Sequence, residues 1–219
     1  RFSLMRLSLP VPAPTFTGEI VQLELAVTER LDESAARLTT RVVRPDGSVG
    51  CEGHTLLTGS MPDGWAAVPP PEPPLSGDEW KGLAVGQSAA LSRTYTADDV
   101  AEYLDLLGEK NPLYADPAFG RGLGLSGAPL PGPLLGAMFS CILGTELPGR
   151  GTNWLKQRFV FLRPAYPGDE LTARVRISRI RPEKELVNLR TWVTGSGGEL
   201  VCDGEALVWV SDVEGGIRN

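Results

Sequence analysis

Leu200-Val201-Cys202-Asp203-Gly204-Glu205-Ala206-Leu207-Val208-Trp209-Val210 has near-twin landmarks in Val49-Gly50-Cys51-Glu52-Gly53-His54-Thr55-Leu56-Leu57. Each stretch holds a Cys-acid-Gly triplet within a run that reads as one β-strand. The two runs are the last strands of two similar units. Upstream of the second, Leu171, Ala173, Val175 and Ile177 alternate, then Arg181-Pro182-Glu183-Lys184 turns the chain. Val187, Leu189, Thr191 and Val193 alternate next, and Ser196-Gly197-Gly198 turns again.

Upstream of the first, the order is the same. Ile20, Val21, Leu23, Leu25 and Val27 precede a turn at Asp32-Glu33-Ser34. Leu38, Thr40 and Val42 precede Pro45-Asp46-Gly47, where Asp-Gly between apolar runs marks a hairpin. Phe16-Thr17-Gly18-Glu19 parallels Tyr166-Pro167-Gly168-Asp169. Landmarks shared at a constant offset point to duplication of one structural unit. The expected division is a first unit over 1–60, a linker over 61–82 and a second unit over 83–219. The linker contains Pro69-Pro70-Pro71-Glu72-Pro73-Pro74, which is too proline-dense for a helix or a sheet interior.

Only the second unit carries helices. Thr96 can cap a helix whose first turn holds Asp98 and Asp99, and Val100, Tyr103, Leu104 and Leu107 form its stripe. Gly108 ends it, and a loop with two prolines follows, Glu109 to Pro117. After Pro131-Gly132-Pro133, a second helix reads apolar or small on every side (Leu134, Leu135, Met138, Phe139, Ile142 and Leu143, with Gly136, Ala137, Ser140, Cys141 and Gly144). That composition predicts full burial. A buried helix against a curved antiparallel sheet is an α+β hotdog. Duplicated, it is a double hotdog whose N-terminal half is partial: either degenerate, or with its helix upstream of Arg1.

The chain has 219 residues, 42% hydrophobic and 22% charged, with a net charge of −6. That balance argues against nucleic acid or an anionic membrane as partner. No run is apolar enough to span a bilayer, and the N-terminus shows no signal-peptide pattern, so a cytoplasmic location is expected. Cys51, Cys141 and Cys202 lack metal-ligand spacing and read as free buried thiols, with no metal expected.

Thr96 to Pro117 resembles the hydratase motif of the MaoC-like (R)-specific enoyl-CoA hydratases and acyl-carrier-protein dehydratases. Their pattern is a helix followed by Gly-Asp-x-Asn-Pro-Leu-His-x-Asp-Pro. Here it is Gly108-Glu109-Lys110-Asn111-Pro112-Leu113-Tyr114-Ala115-Asp116-Pro117. Leu143 to Gly149, Phe161-Leu162-Arg163-Pro164 and Pro167-Gly168-Asp169 also resemble the family, over about residues 83–211. The resemblance implies a hydro-lyase acting on an enoyl or 3-hydroxyacyl thioester of CoA or a carrier protein, in fatty-acid or polyketide metabolism. It implies no further cofactor. An acyl carrier protein and a homodimeric or other protein subunit are the partners it suggests.

This chain departs from the family where the chemistry lies. Glu109 stands for the motif Asp and Tyr114 for the motif His, while Pro131-Gly132-Pro133 replaces His-Gly-Met. The sole histidine, His54, lies in the other unit. The expected catalytic set is Glu109 as base, Tyr114 as proton donor, Asn111, Ser140, and Gly132 offering an N–H to the thioester oxygen. Lys156 and Arg158 are candidates for a cofactor phosphate. Plainer roles stand beside these: a solvated carboxylate, a space-filling phenol, a loop brace and a solvated strand start. Alternatives to hydration are a non-catalytic thioester-binding subunit, a double-bond isomerase or cyclising enzyme, and a thioesterase using a lone carboxylate.

Overall fold

The computed structural model describes residues 3–11, 14–33, 35–58, 74 and 79–210. Most of the expected linker lies outside the described residues. At its end, β5 (Glu79–Trp80) and β6 (Leu83–Ala84) pair as a small hairpin, so 79–82 is not extended linker.

The remaining strands are β1 (Ser3–Pro10), β2 (Gln22–Arg30), β3 (Ala35–Val43), β4 (Val49–Thr58), β7 (Ser88–Thr94), β8 (Asn153–Phe161), β9 (Glu170–Arg181), β10 (Leu186–Gly195) and β11 (Leu200–Trp209). They form one antiparallel nine-stranded sheet in the order β2-β3-β4-β1-β8-β11-β10-β9-β7. The order is the repeat made visible: β2-β3-β4-β1 mirrors β9-β10-β11-β8, and β1 pairs with β8 from Arg6↔Val160 to Pro10↔Lys156. Sequence reading missed β1, which precedes the repeated landmarks; its counterpart is β8.

The two halves match down to their irregularities. Thr40 faces Gly53, and Thr191 faces Gly204. A register shift follows Val42↔Cys51 in one half and Val193↔Cys202 in the other. A second shift, beside Thr28 and Ser178, is closed in the same way in each half. Thr28 Oγ1 donates to the Arg37 carbonyl at 3.3 Å, and Ser178 Oγ to the Asn188 carbonyl at 3.1 Å. The entering turns agree too: Glu19 accepts from the Phe16 N–H at 3.1 Å, and Asp169 from the Tyr166 N–H at 2.8 Å. Gly18 and Gly168 both hold φ near +90°, which a side chain would strain.

Four helices belong to the second half: α1 (Ala97–Leu107), α2 (Pro112–Ala115), α3 (Pro117–Gly122) and α4 (Gly132–Thr145). α4 buries Leu134, Leu135, Met138, Phe139, Ile142 and Leu143 against the inward side chains Leu171, Ala173, Val175, Ile177, Val187, Leu189 and Val193. This is the α+β hotdog expected. Close approach of α4 to β8 requires small residues. A Cβ at Gly136 would lie 3.1 Å from the Phe159 ring, and one at Gly132 2.7 Å from the Phe161 ring.

The expectation that α4 is buried all round is corrected. Pro133, Ala137, Ser140, Cys141 and Thr145 are exposed along one side. Consequently Cys141 is an exposed thiol and Cys51 a half-buried one; only Cys202 is buried. Leu107, assigned to the buried stripe of α1, is exposed as well.

The first half nevertheless keeps two chemically distinct faces. One carries an ion-paired ladder, Glu24–Arg41 at 3.3 Å and Arg41–Glu52 at 3.4 Å. The other carries Leu23, Leu25 and Val27, the counterparts of Ala173, Val175 and Ile177. Val27 is 67% exposed, whereas Ile177 is fully buried under α4. Substitution should expose this asymmetry. Ile177→Ala is expected to cost about 2–5 kcal/mol through transfer and cavity terms. Val27→Ala, at the matching place, should stay within about 0.5 kcal/mol. Urea unfolding of the two variants measures both; equal losses would contradict the uncovered face.

Candidate active site

The loop after α1 is built by three successive caps. Thr96 and Asp99 form a reciprocal capping box at the start of α1, with bonds of 3.1 and 2.7 Å. Gly108 ends α1 at φ 62°. Asn111 Oδ1 then accepts from the Leu113 N–H at 3.0 Å and caps α2, and Asp116 Oδ1 accepts from the Ala118 N–H at 2.8 Å and caps α3. A proline fills the first position of both short helices, where its missing N–H costs nothing. The motif therefore folds as a chain of Asx-Pro caps, and Asn111 is the brace at its centre.

These caps set Tyr114 half-buried on α2, packed against the main core. Its phenol pKa is pushed above the usual value by burial, with the Glu109 carboxylate and Tyr103 adding to the shift. Glu109 is exposed. Its Oε1 accepts from the Asn111 N–H at 2.8 Å, and Oε2 has no partner among the described residues.

Opposite Tyr114 lies the first turn of α4. Pro131 precedes it without a side-chain cap, and Pro133 has no N–H. The Gly132 N–H has no acceptor among the described residues, as expected for a first-turn donor. It lies at the positive end of the helix dipole. Tyr95, buried beneath, donates its hydroxyl to the Leu134 carbonyl at 3.0 Å and fixes that turn. A cavity of about 390 Å³ joins the pieces, lined by Asn111, Tyr114, Gly132, Leu135, Phe161 and Arg163 among others. A second, more open cleft of about 760 Å³ lies on the other side of Tyr114.

The structure thus brings Asn111, Tyr114 and Gly132 together, whereas Glu109 is exposed beside Asn111 and lines neither cavity. Three other candidates fall elsewhere. Ser140 is exposed, lines neither cavity and lies two turns along α4, about 12 Å from Gly132 at 1.5 Å per residue. Lys156 and Arg158 alternate with Gln157 and Phe159; the latter two point inward, so the two cations lie on the outer face of the sheet. Arg158 faces Glu205 there at 3.6 Å, and neither cation lines the cavity. His54 is exposed on that outer face as well, aligned with Ser8 and Thr39. Leu135, named above only as a residue of the buried helix, and Phe161 and Arg163, named only within a stretch that resembles the family, also line the cavity. Strand parity relative to Phe159 would have indicated Phe161.

The shifted phenol makes one prediction. Folding favours its neutral form, so the associated stability is present below about pH 10 and is lost as pH rises through the folded-state pKa. In an alkaline absorbance titration, Tyr114→Phe should remove a tyrosine that ionises above pH 10. Loss of one ionising at or below 10 would contradict the burial described.

Comparisons with known proteins identify the family. The family described as FAS1-like, dehydratase domain region, matches residues 84–204. An (R)-specific enoyl-CoA hydratase of Aeromonas caviae is 39% identical over 128 residues, which is 58% of this chain and 96% of that protein. A mitochondrial 3-hydroxyacyl-(acyl-carrier-protein) dehydratase of Solanum lycopersicum is 33% identical over 126 residues, 57% of this chain and 75% of that protein. A solved MaoC-like dehydratase shares the fold over 96% of this chain and 76% of its own, with TM-score 0.73 and 16% identity. Motif loop, helix terminus and cavity all fall within the matched span, and the chain belongs to the FAS1-like dehydratase-region family, with the MaoC-like hotdog fold.

Proposed function

We propose that the protein is a hydro-lyase that adds water to an enoyl thioester, or removes it from a 3-hydroxyacyl thioester, in fatty-acid metabolism. The observation that carries this reading is the shared cavity of Tyr114, Asn111 and Gly132 at the N-terminus of α4. The names of the relatives, an enoyl-CoA hydratase and a carrier-protein dehydratase, support the substrate class. CoA or a carrier protein delivers the acyl group, and no other cofactor enters the reaction.

The chemistry needs a base for water, a proton for Cα and a place for charge on the thioester oxygen. Glu109 takes a proton from water as the oxygen bonds to Cβ. The developing negative charge on the thioester oxygen rests beside the Gly132 N–H. Tyr114 is neutral at pH 7 and therefore a donor; it gives its proton to Cα. The proton on Glu109 then returns to the phenolate, and both groups end as they began. Asn111 takes no part in proton transfer; it holds the loop and anchors Glu109.

The test follows loss of crotonyl-CoA absorbance. Wild type is expected to turn over, and Glu109→Gln and Tyr114→Phe should each lower kcat by about 10²–10⁴. Full activity in either variant would remove that residue from the mechanism. One observation favours a second reading, a thioester-binding subunit without turnover: the sole histidine lies on the outer face, so no imidazole reaches the cavity. Activity in Tyr114→His with an inert wild type would establish it.

A further inference from the structure

The cavity that holds Gly132 and the larger cleft beside it share one lining residue, Tyr114. They adjoin along three chain segments. Asn111, Leu113 and Tyr114 line the cavity, and Tyr114, Ala115 and Pro117 line the cleft. Leu125, Pro129 and Leu130 line the cavity, with Ser126, Gly127 and Ala128 on the cleft side. Phe161 to Ala165 line the cavity, and Tyr166 and Pro167 the cleft. Tyr114 is therefore the residue that stands in both neighbouring spaces.

The spaces differ in size and character. The first, about 390 Å³, contains the oxyanion donor and so takes the thioester. The second, about 760 Å³, runs under α1 against Val100, Ala101 and Leu104, with Arg121 and Asp169 among its polar residues. An acyl tail extending from a thioester at Gly132 meets Tyr114 before it can reach that apolar wall. We infer that Tyr114 determines the accepted acyl length: its ring confines the wild-type site to short chains and closes off a ready-made apolar subsite for longer ones. This rests on the acyl-thioester reading above, but not on Tyr114 being the proton donor.

The two roles of Tyr114 separate by substitution. Tyr114→Phe removes the hydroxyl and keeps the partition; Tyr114→Ala removes both. Calorimetry with the unreactive thioesters butanoyl-CoA and decanoyl-CoA reads binding without chemistry. Wild type and Tyr114→Phe should show the same preference between the two. Tyr114→Ala should shift it towards decanoyl-CoA by at least about tenfold, as extra methylenes leave water. Ala101→Trp, placed on the exposed side of α1 to fill the cleft, should leave the wild-type preference unchanged and cancel the shift in the Tyr114→Ala background. An unchanged preference in Tyr114→Ala overturns the inference, as does a shift that Ala101→Trp does not cancel. Tyr114→Phe tests it independently should the Ala variant fail to fold: a changed preference there overturns it. Crotonyl-CoA turnover with no shift sinks the partition alone; a shift without turnover sinks the proposed reaction alone.

Discussion

The approach of α4 to β8 governs the rest of the structure. Gly132 and Gly136 let the helix lie against the rings of Phe161 and Phe159, whose centroids are 5.7 Å apart. With side chains at those positions the helix would be forced off the strand. Its close seat buries the inward faces of β9 and β10, and it brings Gly132 to the wall of the cavity. Tyr95, bonded to the Leu134 carbonyl, ties the same turn to the residues just before the capping box of α1. Fold and site are thus set by one contact surface, and the loop bearing Tyr114 is hung from it.

The internal repeat explains what the first half contributes. It reproduces the strand order, the register shifts and the side-chain bonds that close them, and it extends the sheet through β1 and β8. It supplies no described helix. Leu23, Leu25 and Val27, whose counterparts α4 covers in the second half, therefore stand in the open on β2. The polarity of the sheet survives because the ladder Glu24–Arg41–Glu52 occupies the opposite face.

Much of this was legible in the sequence, for physical reasons that also mark where reading failed. Alternation with shared Cys-acid-Gly landmarks marks β3, β4, β10 and β11, whereas Glu109 to Pro117, which reads as a loop, holds α2 and the start of α3, helices too short to show a periodicity. β1 lacked landmarks and went unseen. The small residues on α4 were read as buried because smallness alone does not distinguish a packed face from a bare one. Ser140, expected in the site from the family resemblance, stands two helical turns from Gly132 and lines neither cavity. Lys156 and Arg158, candidates for a phosphate or a solvated strand start, lie on the outer face by strand parity. The replacement of Asp and His by Glu109 and Tyr114 was visible at once, but the position of Tyr114 between two spaces requires three dimensions.

The central claim is that the N-terminus of α4 and the phenol of Tyr114 hold the two ends of one reacting unit. A crystal structure with 3-hydroxybutanoyl-CoA tests it directly. The account predicts the thioester oxygen about 3 Å from the Gly132 nitrogen and Cα facing the Tyr114 hydroxyl. A thioester bound elsewhere, on the uncovered face of β2–β4 or in the cleft beneath α1, would contradict it.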